Sequence, residues 1–230
     1  AGEVVWLNPF KPEVQQFITS LVAEIATRYD IDGIQFDDHT ALPSDFGYDP
    51  YTRSLYQQET EQPVPSNPRD AAWMRWRADK ITDFVAQLNQ TVKQHRPQAI
   101  FSVSPNPYDT AYNSFLQDWV GWINRGLVDE LLVQVYRWDM NSFTEQILRP
   151  EIQMAQTQIP VGIGIMTGLR HRPMPMSMIQ SQVMRSTAQG LGVAFFYYET
   201  LWYDAPEPVT ERQARFRDLF NVPASRFSRR

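Results

Sequence analysis

The feature that most constrains the fold is a repeated alternation between short strand-like segments and helix-like segments. Along the 230 residues, segments with period-two apolar patterning alternate about six times with segments whose apolar residues recur at helical spacing. This alternation predicts right-handed β-α-β units and a parallel sheet. The predicted strands are 4–8, 34–37, 99–106, 130–138, 160–168 and 193–199, and the predicted helices are 13–28, 70–95, 114–125, 142–156, 177–189 and 209–220. Residues 40–68, rich in proline and tyrosine, are predicted to form a long ordered loop.

Most of these strands carry apolar residues on one parity and polar residues or glycine on the other. Phe101 and Val103, for example, alternate with Ser102 and Ser104. An open sheet covered by helices on both faces would be apolar at both parities. A closed barrel, packed on helices outside and leading to a polar mouth, fits the pattern better. We therefore predict an α/β fold of the (β/α)8 TIM-barrel type. About six of the eight units are visible, so residues 1–230 are expected to be the C-terminal portion of one barrel domain whose first units lie upstream.

Composition narrows the partners that we expect. The net charge is −5, the isoelectric point is near 5.2, and no cluster of lysine and arginine could follow a phosphate backbone, so we expect no nucleic acid. No apolar run approaches the ~20 residues of a membrane-spanning helix, and cysteine is absent. Aromatic residues make up 13% of the chain, and many fall near strand ends and in loops. Such rings suit stacking on sugar faces, which points to a polysaccharide or oligosaccharide partner.

The most informative stretch is the strand at 34–37 and the residues that follow it. Asp37, Asp38 and His39 lie at the carboxyl end of an otherwise apolar strand, where parallel α/β folds place their chemistry. By parity, Asp37 points with Gln35 into the barrel mouth, which makes it the first candidate for a catalytic carboxylate. Asp38 is the alternative if the strand bulges. The competing interpretation is that one of them only ends the strand or caps the next helix.

Four segments resemble a known family. The segments Trp6-Leu7-Asn8-Pro9, 29–38, Gln134-Val135-Tyr136-Arg137 and 195–199 resemble glycosyl-hydrolase-like family 10, nearest to its cyanobacterial members, and the resemblance spans nearly the whole chain. It implies a (β/α)8 barrel, a periplasmic, envelope-associated or secreted location, and cleavage of glycosidic bonds, with peptide-free peptidoglycan strands as the substrate of enterobacterial relatives. Residues 33–37 are also similar to the fourth-strand motif of the α-amylase superfamily, although Gln35 stands where that motif has arginine.

Glycoside hydrolysis usually needs two carboxyl groups, one as general acid and one as nucleophile or base. The catalytic candidates are Asp37, Asp38 and, at the tip of the last predicted strand, Glu199, with Asp139 as a further choice. Polar and aromatic residues at other strand ends are candidate sugar ligands, and we expect neither a cofactor nor a metal ion. The predicted substrate-binding residues are Asn8, His39, Asn106, Tyr136, Trp138, Asp139, Tyr197 and Trp202.

Two other classes of function stay open. In the first, Asp37, Asp38 and His39 hold a metal ion in a polysaccharide deacetylase. Against this, the chain has only three histidines, and consecutive strand residues are expected to point apart. In the second, the protein is a non-catalytic glycan-binding barrel, because a fold does not fix a function.

Overall fold

The computed structural model describes residues 6–169 and 172–222. The chain divides into two compact units, Ala1–Glu130 and Leu131–Arg230. The elements of the first unit are α1 (Pro12–Arg28), β1 (Gly33–Asp37), α2 (Pro50–Thr60), α3 (Ala71–His95), β2 (Ile100–Ser104), α4 (Tyr108–Phe115) and α5 (Trp119–Asn124). From the boundary onward follow β3 (Glu130–Gln134), α6 (Met140–Ile147), α7 (Pro150–Gln156), β4 (Val161–Met166), β5 (Gly168–Leu169), β6 (Arg172–Pro173), α8 (Met176–Thr187), β7 (Gly192–Phe196), α9 (Tyr198–Trp202) and α10 (Val209–Leu219).

In the first unit, β1 and β2 pair in parallel, with Asp37 opposite Ser104. On one side of this pair Phe36 stacks on Phe101, with ring centroids 5.0 Å apart. On the other side the Gln35 amide donates to Ser102 Oγ at 3.0 Å. The predicted alternation is therefore confirmed in these strands, and Asp37 has the parity of Gln35.

In the second unit, β4 lies between β3 and β7, and both pairs are parallel. All six residues of β4 are buried, as expected for the central strand of a parallel sheet. Helices connect these strands, which confirms an α/β fold with parallel β-α-β units. Among the described residues, no helix combines the length and the apolar character that crossing a membrane requires.

Two predictions in the first unit differ from the structure over the residues that it describes. Within the predicted strand 4–8, the described residues Trp6 to Asn8 form no strand, and the rest of that segment lies outside the described residues. The predicted loop 40–68 contains helix α2. Its start is set by Pro50 and by Asp49, whose carboxylate accepts from the Thr52 amide at 3.1 Å, a favourable combination for beginning a helix.

Other predicted elements are shorter than expected: β2, β3 and β4 end before the predicted 106, 138 and 168, and two helices and the last strand also differ. The helix predicted at 114–125 is two helices, because Leu116 ends α4 with a left-handed φ of 59°. The helix predicted at 142–156 is also divided, since Pro150 lacks the amide that would continue α6 and instead begins α7. The last strand ends at Phe196, so Glu199 lies in the first turn of α9 and not at a strand tip.

Candidate functional site

The side chains of Asp37, Asp38 and His39 converge at the end of β1. His39 Nδ1 lies 3.2 Å from Asp37 Oδ2 and 3.2 Å from Asp38 Oδ1, and the His39 amide donates to Asp37 Oδ1 at 2.9 Å. One ligand atom from each of the three residues lies within 4.8 Å of the others. The expectation that consecutive residues point apart is wrong here, because the strand ends at Asp37 and the next two residues form a turn.

Asn106, which follows β2, joins this cluster. Its Nδ2 donates to Asp38 Oδ2 at 3.1 Å, and its carbonyl oxygen accepts from Trp119 Nε1 at 3.2 Å. Asp38 therefore has both an amide and an imidazole partner, and its side chain is 28% exposed, compared with 59% for Asp37. Both carboxylates contact His39, but only Asp38 also accepts from Asn106, and Asp37 is the more open to solvent.

The backbone of the turn is fixed by Gln117, a fully buried residue between α4 and α5. Its Nε2 donates to the carbonyl oxygen of Thr40 at 3.1 Å and approaches that of Asp37 at 3.4 Å. The Thr40 amide also donates to the Asp37 carbonyl at 3.3 Å. Sequence reasoning missed Gln117, because a glutamine within an apparently continuous helical segment carries no signal of burial.

A cavity of about 660 Å³ opens beside the cluster. Its polar end is formed by Gln35, Asp37, His39 and Thr40, and its apolar side by residues of α1 and α3. Trp6 lines the cavity and stacks on His39, with ring centroids 6.1 Å apart and planes 19° from parallel. Trp6 was not among the predicted ligands, although its place in the family-like segment 6–9 was a signal.

Asn8 has a different environment from the one expected of a sugar ligand. Its Nδ2 donates to Asp49 Oδ2 at 3.1 Å and to Thr52 Oγ1 at 2.8 Å. Its Oδ1 accepts from the Phe10 amide at 2.9 Å. The Asn8 side chain thus ties the entry to α1 to the start of α2, and its predicted role in sugar binding stays a prediction.

In the second unit, the residues after β7 combine backbone anchors with an open carboxylate. The Tyr197 carbonyl oxygen accepts from Thr167 Oγ1 at 3.0 Å and from Thr200 Oγ1 at 3.2 Å. Tyr136 stacks on Phe196, with centroids 5.1 Å apart. Glu199 is exposed, and its carboxylate has no hydrogen bond or ion pair among residues 6–169 and 172–222.

Three other predicted ligands of this unit already have close partners. Asp139 caps α6, accepting from the Ser142 hydroxyl at 2.5 Å and its amide at 2.9 Å. These hydrogen bonds lower the pKa of Asp139, and this is the helix-cap role that competes with a catalytic one. Trp202 packs on Phe216 of α10, with centroids 5.0 Å apart. Trp138 has the guanidinium of Arg172 over its ring.

Together, the fold and the cluster define an α/β protein with two carboxylates at the carboxyl end of a parallel strand, beside a cavity of a size that accepts a small ligand. The chain belongs to the Glycosyl hydrolase-like 10 family, whose model matches residues 1–185.

Two curated relatives and one solved structure are similar to the chain. It is 33% identical over 151 residues to glycosyl hydrolase DigH of Escherichia coli, covering 59% of this chain and 33% of that protein. It is 28% identical over 151 residues to glycosyl hydrolase YngK of Bacillus subtilis, covering 59% of this chain and 28% of that protein. The chain thus spans a third or less of these relatives. The glycoside hydrolase domain of PgaB (BpsB) from Bordetella bronchiseptica shares the fold, with a TM-score of 0.70 and 14% identity over 97% of this chain and 67% of that one.

Proposed function

We propose that the chain is the catalytic part of a glycosidase that cleaves a cell-envelope or extracellular polysaccharide by carboxylate acid/base chemistry. The observation that carries the proposal is the cluster of Asp37, Asp38, His39 and Asn106 at the carboxyl end of β1. Family membership supports glycan cleavage as the reaction class. Peptide-free peptidoglycan glycan strands are the substrate that we propose first.

Different surroundings suit the two carboxylates to different roles. Glycoside hydrolysis uses one carboxyl group that donates a proton and another that attacks or activates water. Asp37 is open to the cavity and to solvent, so a substrate can reach it directly. Asp38 is held by Asn106 and His39, which fixes its orientation. We propose Asp37 and Asp38 as the catalytic candidates of the first unit, with the exposed Glu199 as a further candidate in the second.

We also propose that residues 1–230 are part of one closed (β/α)8 barrel domain. Within the described residues, β1 pairs on one side only, with β2. Helix α1 exposes Phe17, Leu21 and Ile25 at helical spacing, an apolar stripe that further β/α units would cover. A crystal structure of the full-length protein tests the closure: a gap beside β1 in that structure would contradict it.

For location, we propose the periplasm, the cell envelope or the exterior. The support is the kind of substrate proposed for the site, which lies outside the cytoplasm. Fractionation of cells that produce the tagged protein tests this, and recovery of the protein only in the cytoplasm would contradict it.

The experiment that tests the activity measures reducing-end release from peptide-free peptidoglycan strands and from a panel of neutral and acidic polysaccharides. Wild type is compared with Asp37→Asn, Asp38→Asn and Glu199→Gln. Asp32→Asn is the matched control, because Asp32 is an exposed aspartate at the opposite end of β1. We expect wild type and the control to release reducing ends and at least one of the other variants to be inactive.

A metal-dependent deacetylase is the second candidate, because the ligand atoms of Asp37, Asp38 and His39 lie within 4.8 Å of one another. Zinc is held by such nitrogen and oxygen ligands in catalytic sites. Acetate release from acetylated glycans that is lost on chelation and restored by a divalent metal would favour this reaction. A non-catalytic glycan-binding protein would instead bind strands without cleaving them, in wild type and Asp37→Asn alike.

A further inference from the structure

A tryptophan and an arginine form a stacked pair in the second unit. Trp138 follows β3, and Arg172 begins β6 in the short hairpin after β4. Because β3 and β4 are neighbouring parallel strands, both residues come from chain segments that leave the same end of the sheet. The guanidinium carbon of Arg172 lies 3.8 Å from the centroid of the Trp138 ring, within the range of a cation–π contact.

The charge of Arg172 is not neutralised within the described part of the chain. Arg172 is exposed, and among residues 6–169 and 172–222 no carboxylate pairs with it. The nearest acidic residue in sequence to Trp138 is Asp139, and its carboxylate is bound to the amide and hydroxyl of Ser142 at the start of α6. Within the described residues, the N–H groups of Arg172 are therefore available to a ligand.

The tryptophan side of the pair is held in place. On one side of Trp138, the buried Gln182 donates through Nε2 to the Arg137 carbonyl oxygen at 2.9 Å. On the other side, Asp139 is held in place because its side chain caps α6. The segment that carries Trp138 is thus anchored on both sides. Arg137 adds a second guanidinium next to Trp138, with one hydrogen bond from NH1 to the Tyr136 carbonyl oxygen at 3.1 Å.

Stacking gives Arg172 the properties of a carboxylate-binding group. A guanidinium is flat and weakly hydrated, and it presents parallel N–H donors that match the two oxygens of a carboxylate. Resting on the indole face restricts its plane before a ligand arrives, so less side-chain entropy is lost on binding. The same stack covers one face of Trp138, which was predicted to bind the sugar.

We propose that Arg172 and Trp138 form a subsite for a sugar residue that carries a carboxylate. The guanidinium of Arg172 binds the carboxylate, and Trp138 holds the guanidinium in position. The proposal rests on the proposed function only in taking a saccharide as the ligand, and it narrows the substrate to acidic glycans.

The test compares two ligands that differ at the lactyl carboxylate, which is charged in one and a neutral methylamide in the other. Calorimetry measures binding of peptide-free peptidoglycan strands, whose N-acetylmuramic acid residues carry lactyl carboxylates, and of the same strands after amidation of those carboxylates with methylamine. For wild type we expect amidation to weaken binding about tenfold or more, the effect of losing one charge-assisted contact. Arg172→Gln should bind both ligands as weakly as wild type binds the amidated strands.

Two further variants separate charge from packing. Arg172→Lys keeps the charge without the planar fork and should retain only part of the preference. Arg217→Gln removes an exposed arginine of α10 and should retain all of it. Equal affinity of wild type for the two ligands, no binding of either, or an unchanged preference in Arg172→Gln would overturn the proposal.

Failure of this proposal is distinguishable from failure of the proposed function. Hydrolysis of glycans without any preference for the carboxylate would refute the proposed subsite but not the proposed glycosidase activity. A carboxylate preference without reducing-end release from any glycan would support the subsite and refute the glycosidase activity.

Discussion

Replacing Arg77 by methionine should destabilise the first unit more than most substitutions do. Arg77 is fully buried in α3. Its NH1 donates to the carbonyl oxygens of Ser44 and Phe46, and its NH2 to that of Pro68, each at 2.6 Å. The guanidinium also lies 4.5 Å from the Trp73 ring centroid. Burial lowers the pKa of Arg77 to about 10, so the side chain remains charged at neutral pH.

The magnitude follows from these contacts. Methionine has a similar length but no donor, so Arg77→Met leaves three carbonyl oxygens without their partner, at about 1–3 kcal/mol each. Removing a buried charge offsets part of this loss. We therefore expect the free energy of unfolding to fall by about 3–5 kcal/mol, with Arg77→Lys intermediate because an ammonium cannot reach all three oxygens in the same geometry.

Urea denaturation followed by circular dichroism measures this change, with the denaturant slope checked for constancy. Arg53→Met, at an exposed arginine of α2, is the matched control and should stay within about 0.5 kcal/mol of wild type. If Arg77→Met also stayed within about 1 kcal/mol, the inference that these three carbonyl contacts stabilise the 44–68 segment would be refuted.

Three further predictions concern other contacts. Burial acts to raise the pKa of Glu207, but its hydrogen bonds from the Met176 amide and Arg212 lower it overall. The stability that this carboxylate contributes is therefore present above its unfolded pKa of 4.5 and is lost as pH falls through the lower folded pKa. The urea midpoints of wild type and Glu207→Gln should converge in acid, and a difference that stays constant with pH would contradict this. Gly33→Ala would place a Cβ 2.5 Å from the Ile100 carbonyl oxygen, so we expect a loss of about 1–3 kcal/mol, and an unchanged urea midpoint would argue against this close approach. Asn106→Ala removes the donor to Asp38 and should lower kcat/KM about tenfold or more with the fold intact; wild-type kinetics would show that this contact is not needed.

Elements with one continuous periodicity could be predicted from the sequence. The helices predicted at 13–28, 70–95 and 209–220 are found as α1, α3 and α10. Each observed helix differs from its prediction by one residue at one end. The parity of Gln35 and Phe36 was equally informative, because period-two alternation assigns a strand residue to a face without knowledge of its neighbours. Asp37 could be singled out for that reason.

The rest depends on contacts between residues that are distant in sequence. Asn8 has a side chain of the type that binds sugar hydroxyls. Its amide instead donates to Asp49 and Thr52, which lie more than forty residues away in sequence. The convergence of Asp38 on His39 depends on the turn after β1, whose backbone is held by Gln117. No local pattern encodes such tertiary hydrogen bonds, so the cluster could be located in the sequence but its geometry could not.

The most direct test of the central claim is reducing-end release from peptide-free peptidoglycan strands by wild type, Asp37→Asn and Asp38→Asn of the full-length protein. We predict release by wild type and a loss of at least about 10³-fold in one variant whose urea midpoint is unchanged. Release at wild-type rates by both variants, or strand binding without release from any polysaccharide in the panel, would contradict the claim that these carboxylates catalyse glycan cleavage.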